Sequence, residues 1–336
     1  MIVGALTSGT AFAAVDGPDG PRIAYLTLDR SKSRVEIRAA GPGGGSQRML
    51  VGGRRGSAAP VPEFGWAPSW SPDGRRIAFG ARSRGSDRIF LVSVPGGEQR
   101  PIPNTEGGFA PVFAPDGRSI AFARARIRSR ITFPKKPGDP FDIYSYDSIT
   151  TWVIRLDGSG ARRLTPWRDA LEVIPSSFSP DGSVLAVSER DERRGLLDSA
   201  VLLEVGRAWP AGRRLIAREA TRPSFSPDGS RIALITYLPG VRPKLGRYGW
   251  YRGGLTVIDA DGSKSRTLVR TSFDEQSPPS WDPSGQRLAY TEGTSVIEVN
   301  ADGTCRKKVF EGTSTRLFYG PLWQPGPDRA AGRIDC

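Results

Sequence analysis

The chain has 336 residues, with 25% charged side chains, a net charge of +13 and no histidine. The absence of histidine excludes catalysis by Ser-His-Asp or Cys-His groups and any imidazole metal site. Enzymes that work through carboxylates are not excluded. The sequence predicts neither a cofactor nor a metal ion.

The N-terminal segment MIVGALTSGTAFAAVDG is apolar and contains the small-x-small pattern Ala11-Phe12-Ala13. This pattern predicts a secretory signal or its remnant over 1–16, although no basic residue precedes it. A frayed terminus is the alternative. The segment is shorter than the roughly 20 apolar residues of a transmembrane helix, and no later segment reaches that length. We therefore predict an extracytoplasmic monomer, periplasmic or secreted, without a transmembrane segment.

The phrase SWSPDGRRIAFG at 69–80 recurs along the chain with small changes. Its copies are VFAPDGRSIAFA at 112–123, SFSPDGSVLAVS at 177–188, SFSPDGSRIALI at 224–235 and SWDPSGQRLAYT at 280–291. In S-P-D-G, Ser or Asp accepts hydrogen bonds, Pro presets φ and Gly tolerates left-handed geometry, which together predict a hairpin turn. A second turn with D-G or G-G follows most copies. Each unit is therefore predicted to contain four short antiparallel strands, as in a propeller blade.

The two ends of the chain carry incomplete units. Strand-like segments at 22–25 and 34–51 supply the later strands of a blade, whereas GPLWQPG at 320–326 supplies Trp323 and a turn. We predict an all-β, six-bladed β-propeller of four-stranded antiparallel blades over 17–326, closed by a C-terminal strand that joins the N-terminal blade. The turn-like GPDG at 17–20 is an alternative source of the first strand.

The repeats S-P-D-G-x-x-I-A-F and V-x-x-A-D-G resemble the WD-repeat-like repeats of the TolB-like propeller family. Similar repeats occur in the propellers of prolyl-oligopeptidase-type peptidases. The resemblance implies a six-bladed, usually extracytoplasmic propeller that binds partners. The α/β domain of TolB and the catalytic domain of the peptidases have no counterpart in this sequence, so the resemblance implies no Tol-Pal role.

The two cysteines, Cys305 and Cys336, fit this layout. Cys305 follows the D-G turn of the last blade, on the face where the closing strand ends, and only ten residues separate Gly326 from Cys336. We expect a disulfide that holds the tail, 327–336, against the last blade. Two free thiols are the alternative.

Two insertions follow predicted second strands, at 124–150 and 237–254, and both are basic and aromatic. Long loops on a rigid scaffold often carry binding function, and Arg and aromatic side chains are enriched where binding energy concentrates. The candidate binding rim comprises Arg126, Arg128, Arg130, Lys135, Lys136, Tyr144, Tyr146, Arg242, Lys244, Arg247, Tyr248, Trp250 and Tyr251. The alternating arginines of 124–130 are equally typical of a solvated strand face.

An acidic residue precedes the aromatic of each repeat by six or seven positions. These acids are Glu63, Glu106, Glu172, Glu219, Asp274 and Glu275. Because first strands line the axis of a propeller, we expect a ring of acids at the channel mouth, able to receive a cationic peptide group, a sugar or a hard metal ion. Acids that only cap the links and face water are the alternative.

Together these features favour an exported, non-catalytic binding or scaffold protein. Its expected partner is another protein or an anionic cell-envelope polymer, and no nucleic acid is expected. A carboxylate-based propeller enzyme, a glycosidase or lyase, is the alternative, although no pair of acids stands out. A cytoplasmic interaction module would require that both the signal and the disulfide be absent.

Overall fold

The computed structural model describes residues 23–41, 45, 47–54, 60–62, 66–83, 86–94, 97–131, 143–193, 197–238, 250–274, 277–326 and 333–336. Every regular element among these residues is a β-strand. In this part of the chain no helix has the length and apolarity needed to cross a bilayer. The predicted signal over 1–16 lies outside the described residues.

The first sheet has four antiparallel strands and joins the two ends of the described chain. Its strands, in spatial order, are β25 (Arg316–Trp323), β1 (Ile23–Asp29), β2 (Arg34–Ala40) and β3 (Arg48–Arg54). Ile23 pairs with Trp323 and Asp29 with Arg316, so the last strand runs along the whole of the first. The predicted pairing of the C-terminal strand with the N-terminal blade is therefore present, and GPDG at 17–20 lies outside the described residues.

The second sheet has five strands that occupy four positions. They are β4 (Val61–Pro62), β5 (Ser69–Trp70), β6 (Arg76–Ser83), β7 (Ser86–Ser93) and β8 (Arg100–Pro101). Both β4 and β5 pair with β6, at different places along it. They therefore form two parts of one interrupted first strand.

Two larger sheets have eight strands each. The third sheet contains β9 (Gly108–Phe113), β10 (Ser119–Ile131), β11 (Ile143–Arg155), β12 (Arg162–Arg163), β13 (Leu171–Phe178), β14 (Val184–Asp191), β15 (Ser199–Glu204) and β16 (Arg213–Arg218). The fourth contains β17 (Ala220–Phe225), β18 (Arg231–Tyr237), β19 (Trp250–Asp259), β20 (Arg266–Asp274), β21 (Ser280–Trp281), β22 (Arg287–Glu292), β23 (Ser295–Asn300) and β24 (Lys307–Phe310). In each of these sheets, two groups of four strands, each paired antiparallel within itself, follow one another along the chain.

Hydrogen bonds connect the strands into four sheets, whereas the sequence led us to expect six separate ones. β11 pairs with β13 in parallel over two residue pairs, and β20 pairs with β22 only at Phe273 and Glu292. Both bridging strands are long, with 13 and 9 residues, and β11 makes this pairing near its middle whereas β20 makes it near its C-terminal end. The blade count is therefore not settled by counting sheets.

The S-P-D-G turns have the geometry that their residues predict. Ser71 Oγ accepts a hydrogen bond from the Arg76 N–H (2.9 Å) and donates one to the Asp73 carboxylate (2.5 Å). Gly74 has a φ of +66°, which a residue with a side chain rarely adopts. A β-carbon at Gly74 would lie only 3.2 Å from the Pro325 carbonyl oxygen. The first turn therefore packs against the turn that ends the closing strand.

The first strands of successive blades touch one another near the aromatic residue of each repeat. In one kind of contact, the backbone N–H of the aromatic residue donates to a serine hydroxyl of the preceding blade. These bonds run from Phe113 to Ser69 (2.9 Å), from Phe225 to Ser177 (3.1 Å) and from Trp323 to Ser280 (3.0 Å). In the other kind, indole Nε1 donates to a carbonyl, from Trp70 to Leu322 (3.3 Å) and from Trp281 to Ser224 (3.0 Å). The first strands thus stand side by side around a common axis.

The apolar core lies between the faces of successive blades. Ile37 of β2 and Phe79 of β6 belong to one buried cluster, and Tyr25 of β1 packs on Phe310 of β24 with ring centroids 4.3 Å apart. Because neighbouring blades cover both faces of a second strand, the strand is apolar on both sides. This burial explains the uninterrupted Ile-Ala-Phe triplet at 77–79.

Candidate functional site

The axis of the molecule is lined by one recurring position, the third residue before the aromatic of each repeat. We call these six residues the axial ring, and they are Ala67, Ala110, Pro175, Arg222, Pro278 and Gly320. The first five line a cavity of about 60 Å³, and a β-carbon at Gly320 would lie 3.1 Å from that of Ala67. The ring is narrow because its members are small, with the single exception of Arg222.

The axial ring lies where the first strands are bulged. The ladder between β17 and β18 is interrupted between Thr221 and Ser224, and Arg222 within this interval has a φ of +56°. Ala110 has the same left-handed backbone, with a φ of +49°. A bulge interrupts the alternation of side chains along a strand, which allows one residue to be re-aimed. This local geometry turns the axial ring toward the cavity.

Arg222 lies deep in the axial channel and is only 6% exposed. Its guanidinium carbon is 5.0 Å from the centroid of the Trp66 ring, a residue of the segment between β4 and β5. Trp66 also packs on Phe109, with ring centroids 4.6 Å apart. The backbone N–H of Arg222 donates to Ser188 Oγ at 2.8 Å. A cation and two aromatic rings from three different first strands therefore meet at the channel.

Among the predicted channel acids whose side chains are described, Glu172 is the one that lies partly buried beside this cation. Its pKa is raised by burial, while the positive charges of Arg190 and Arg222 act in the opposite direction. Arg190 Nη1 lies 3.8 Å from a Glu172 carboxylate oxygen. A buried carboxyl with a raised pKa is a typical feature of functional sites.

The other predicted acids have different surroundings. Glu106 is half-exposed and lies 3.3 Å from Arg88, and Glu219 is exposed. The side chain of Asp274 and all of Glu63 and Glu275 lie outside the described residues. Among the described residues, no three acidic or cysteine side chains are grouped so that they could hold a metal ion.

Sequence reasoning missed the strongest charge pairing, which lies at the end of β14. Arg213 binds Glu189 with two hydrogen bonds of 2.7 Å, and Arg190 binds Asp198 at 2.7 Å. Tyr237 from the next blade donates to Asp198 at 3.2 Å. The sequence did contain a signal for this cluster, the run ERDERR at 189–194. Acidic side chains at the end of an otherwise buried strand need basic partners, because a buried charge without a partner is costly.

No family model matches the sequence. The structure is similar to that of TolB from Acinetobacter baumannii, with a TM-score of 0.69 and 20% identity over 92% of this chain and 68% of that chain. It is also similar to a putative TolB from Agrobacterium tumefaciens (TM-score 0.57, 14% identity, 91% of this chain and 99% of that one). A chain of a nidogen/laminin complex is similar as well (TM-score 0.56, 13% identity, 91% and 98%). The fold is that of a TolB-like β-propeller.

The two insertions of the propeller both connect a second strand to a third. The first lies between β10 and β11, and the second between β18 and β19. In antiparallel blades the end of the second strand is on the same side as the start of the first. We call this side the link face, and the side with the S-P-D-G turns the turn face.

The predicted rim residues are only partly described. Arg126 is exposed, and its guanidinium carbon lies 5.1 Å from the centroid of the Trp167 ring. The backbones of Arg128, Arg130, Tyr144, Tyr146, Trp250 and Tyr251 belong to β10, β11 and β19, and their side chains lie outside the described residues. Lys135, Lys136, Arg242, Lys244, Arg247 and Tyr248 also lie outside the described residues.

Arg124, at the start of the same alternating run, has a structural role. It lies over the Trp152 ring at 4.7 Å and donates to the Asn104 carbonyl at 2.7 Å. Burial lowers its pKa. The alternation of arginines along β10 therefore includes both a packed side chain, Arg124, and an exposed one, Arg126.

The predicted disulfide is present. Cys305 and Cys336 are bonded, with their Cα atoms 5.2 Å apart. Asn300 forms two hydrogen bonds with the backbone of Ile334, of 2.7 and 3.0 Å, and Arg333 pairs with Asp302. The end of the chain is thus held on the last D-G turn of the propeller.

Proposed function

We propose that this chain is an exported, non-catalytic binding or scaffold propeller that holds a protein or an anionic cell-envelope polymer on its link face. The observation that carries the proposal is the β10–β11 hairpin. β9 pairs with β10 only as far as Arg124, whereas β10 and β11 continue to Ile131 and Ile143. The hairpin therefore extends past the inner strand by about 20 Å, at about 3.3 Å per residue.

The charge of the second insertion, between β18 and β19, supports an anionic partner. Residues 237–252 contain four basic residues and no acid. Exposed positive charge attracts polyanions over roughly 10 Å at moderate salt. A protein partner is supported by fold alone, since a similarly folded chain belongs to a nidogen/laminin complex.

We further propose that the propeller has six blades within 17–326. Neighbouring first strands are joined by hydrogen bonds between the aromatic regions of successive repeats. The remaining junction is between the blade of β9 and the blade of β13. There the two turns pack closely at the turn face, since a β-carbon at Gly182 would lie 3.5 Å from Pro115 Cδ. A crystal structure with any other number of blades around the axis would contradict this count.

Export is proposed from the segment 1–16 together with the disulfide, because disulfides persist mainly in oxidising compartments. The expected location is periplasmic or extracellular. N-terminal sequencing of protein recovered from the envelope fraction tests this. A start at residue 1 in a cytoplasmic fraction would contradict it.

A carboxylate-based glycosidase or lyase is the second candidate, and Glu172 favours it. A partly buried carboxyl with a raised pKa beside a cation is suited to proton transfer. This candidate predicts that a purified protein shortens an acidic polysaccharide and that Glu172→Gln abolishes the reaction. If the wild type does not shorten the acidic polysaccharide, the enzymatic candidate is rejected and the binding role remains.

The first prediction concerns binding to a glycerol-phosphate polymer fixed on a sensor surface, with neutral dextran for comparison. Wild-type protein should bind the polymer with an affinity that falls as salt rises. Neutralising four rim residues should weaken binding roughly tenfold or more, because each exposed charge contributes several tenths of a kcal/mol or more. The rim variant replaces Lys135, Lys136, Lys244 and Arg247 with Gln.

A matched control removes the same charge from the turn face. It replaces the exposed residues Arg75, Arg118, Arg155 and Lys264 with Gln. If net charge alone attracts the polymer, both variants lose affinity equally, and the link face is not the binding surface.

A further inference from the structure

One position of the axial ring departs from the pattern of the other five. Five units place Ala, Pro or Gly there, and the unit whose repeat is at 224–235 places Arg222. This backbone position is left-handed in Ala110 and Gly320 as well, so a small residue suits it and a long side chain does not. Local exceptions of this kind are expected where a residue serves function.

The surroundings of Arg222 orient its guanidinium within the cavity. The Trp66 ring lies 5.0 Å from the guanidinium carbon, and Arg222 itself lines the cavity. A guanidinium carries its N–H donors in a planar fork that matches the two oxygens of a carboxylate. A guanidinium has five N–H donors, so a side chain that packs on an aromatic ring can also donate hydrogen bonds from the edge of its plane.

The rest of the cavity wall offers few hydrogen-bond donors to such a ligand. Pro68, Pro111, Pro175 and Pro278 line it, and proline has no backbone N–H to donate. Within the part of the chain that the structure describes, Ser176 Oγ is buried without a hydrogen-bond partner, and Ser176 lines the same cavity. A hydroxyl can donate to a carboxylate oxygen beside the arginine.

The size of the cavity limits the ligand. A volume of about 60 Å³ admits a few water molecules or one group of about the size of acetate. Glu172 is not among the described residues that line the cavity, and its carboxylate lies 3.8 Å from Arg190. A ligand with one small carboxylate therefore fits, whereas a whole sugar ring does not.

We propose that the axial cavity is a binding site for a single small carboxylate, with Arg222 as the anchor, Trp66 as the ring that orients it and Ser176 as an additional donor. The carboxylate belongs either to a free small acid or to the end of a peptide that enters the channel. This site is separate from the basic insertions and goes beyond the function proposed for them.

The test uses calorimetry on the full chain, with sodium acetate as the probe and sodium chloride keeping the ionic strength constant. Acetate should bind with one site per chain in the millimolar range, and acetamide, its neutral analogue of similar shape, should not bind. Arg222→Gln should weaken acetate binding roughly tenfold or more, the size expected for a charge-assisted hydrogen bond. Arg218→Gln, which removes an exposed charge on β16, should leave binding unchanged.

A second measurement covers the case in which Arg222→Gln does not fold. Acetate should change the tryptophan fluorescence of the wild type, and Trp66→Phe should remove that change. Equal binding of acetate and acetamide, no acetate binding by the wild type, or unchanged binding in Arg222→Gln would each overturn the proposal.

The source of the carboxylate is distinguished by a short glycine peptide and its C-terminal amide. Binding of the acid form alone identifies a peptide terminus as a ligand, and binding of acetate without the peptide identifies a free acid. The rim variant should bind acetate like the wild type, so a failure of the rim proposal and a failure of this one are separable.

Discussion

At the scale of single residues, the turns show how a short motif determines a local structure. In the fifth unit Ser226 Oγ donates to Asp228 (2.6 Å) and accepts from the Arg231 N–H (2.9 Å), while Gly229 has a φ of +73°. Hydrogen bonds from Ser226 and Ser230 lower the pKa of Asp228 to about 2. The charged carboxylate is therefore part of the turn and not only a solvated side chain.

Asp228→Asn should lower the free energy of unfolding at neutral pH by about 1 kcal/mol, less than the full linkage value because the carboxylate is largely exposed. The folded-state pKa is below the unfolded value of about 4, so this stability is present above pH 4 and lost as pH falls toward 2. Urea denaturation at several pH values measures the difference. A difference between wild type and variant that stays constant down to pH 2 would contradict the assignment.

At the scale of elements, an arginine at the start of the second strand joins neighbouring blades. Arg231 lies 4.8 Å from the centroid of the Trp281 ring in the next blade and donates to the Gly285 carbonyl at 2.9 Å. Arg76 repeats the arrangement with Phe113 and Gly117, at 5.9 and 3.1 Å. The repeats at 112–123 and 177–188 have Ser119 and Val184 there, so only some blade junctions use this contact.

Arg231→Ala should lower the free energy of unfolding by about 1–2 kcal/mol, because it removes both a cation–π contact and a charge-assisted hydrogen bond. Arg231→Lys should recover only part of this, since lysine lacks the planar fork. Arg118→Ala, which changes an exposed arginine in the turn of another repeat, serves as the control and should change stability by less than about 0.5 kcal/mol. Equal effects in Arg231→Ala and the control would show that the junction contact is not stabilising.

At the scale of the whole molecule, closure depends on the two chain ends. β25 supplies the inner strand of the blade that begins with β1, and this pairing removes two open sheet edges at once. The disulfide then attaches the tail that follows β25 to the turn between β23 and β24. The closing strand is therefore held at both of its ends by parts of the chain that precede it.

Cys336→Ser should lower the free energy of unfolding by about 2–4 kcal/mol, because the bond closes a loop across a sequence separation of 31 residues. Denaturation of the wild type with a reducing agent should reproduce the loss, and the variant should not respond to the reductant. Two free thiols in the mass spectrum of the exported protein would rule the bond out.

Much of the architecture follows from the sequence by itself. Serine, proline, aspartate and glycine in order determine a turn through local bonds and allowed φ, and the spacing of these turns determines four-stranded blades. The incomplete units at the two ends complete each other, so the pairing of the C-terminal strand with the N-terminal blade is predicted by the sequence, whereas the register that places Ile23 opposite Trp323 is given by the structure. The number of hydrogen-bonded sheets is not deducible, because it depends on how far β11 and β20 reach beyond their blades.

Only the tertiary structure decided which charges serve which purpose. Arg124 and Arg126 are two residues apart in one strand, yet one packs on Trp152 and the other is exposed. Glu106 and Glu172 occupy equivalent links, yet the Glu106 side chain is about half exposed and that of Glu172 is partly buried beside Arg190. The meeting of Arg222 with Trp66 is invisible in the sequence, because burial and partner choice depend on residues that only the closed ring brings together around its axis.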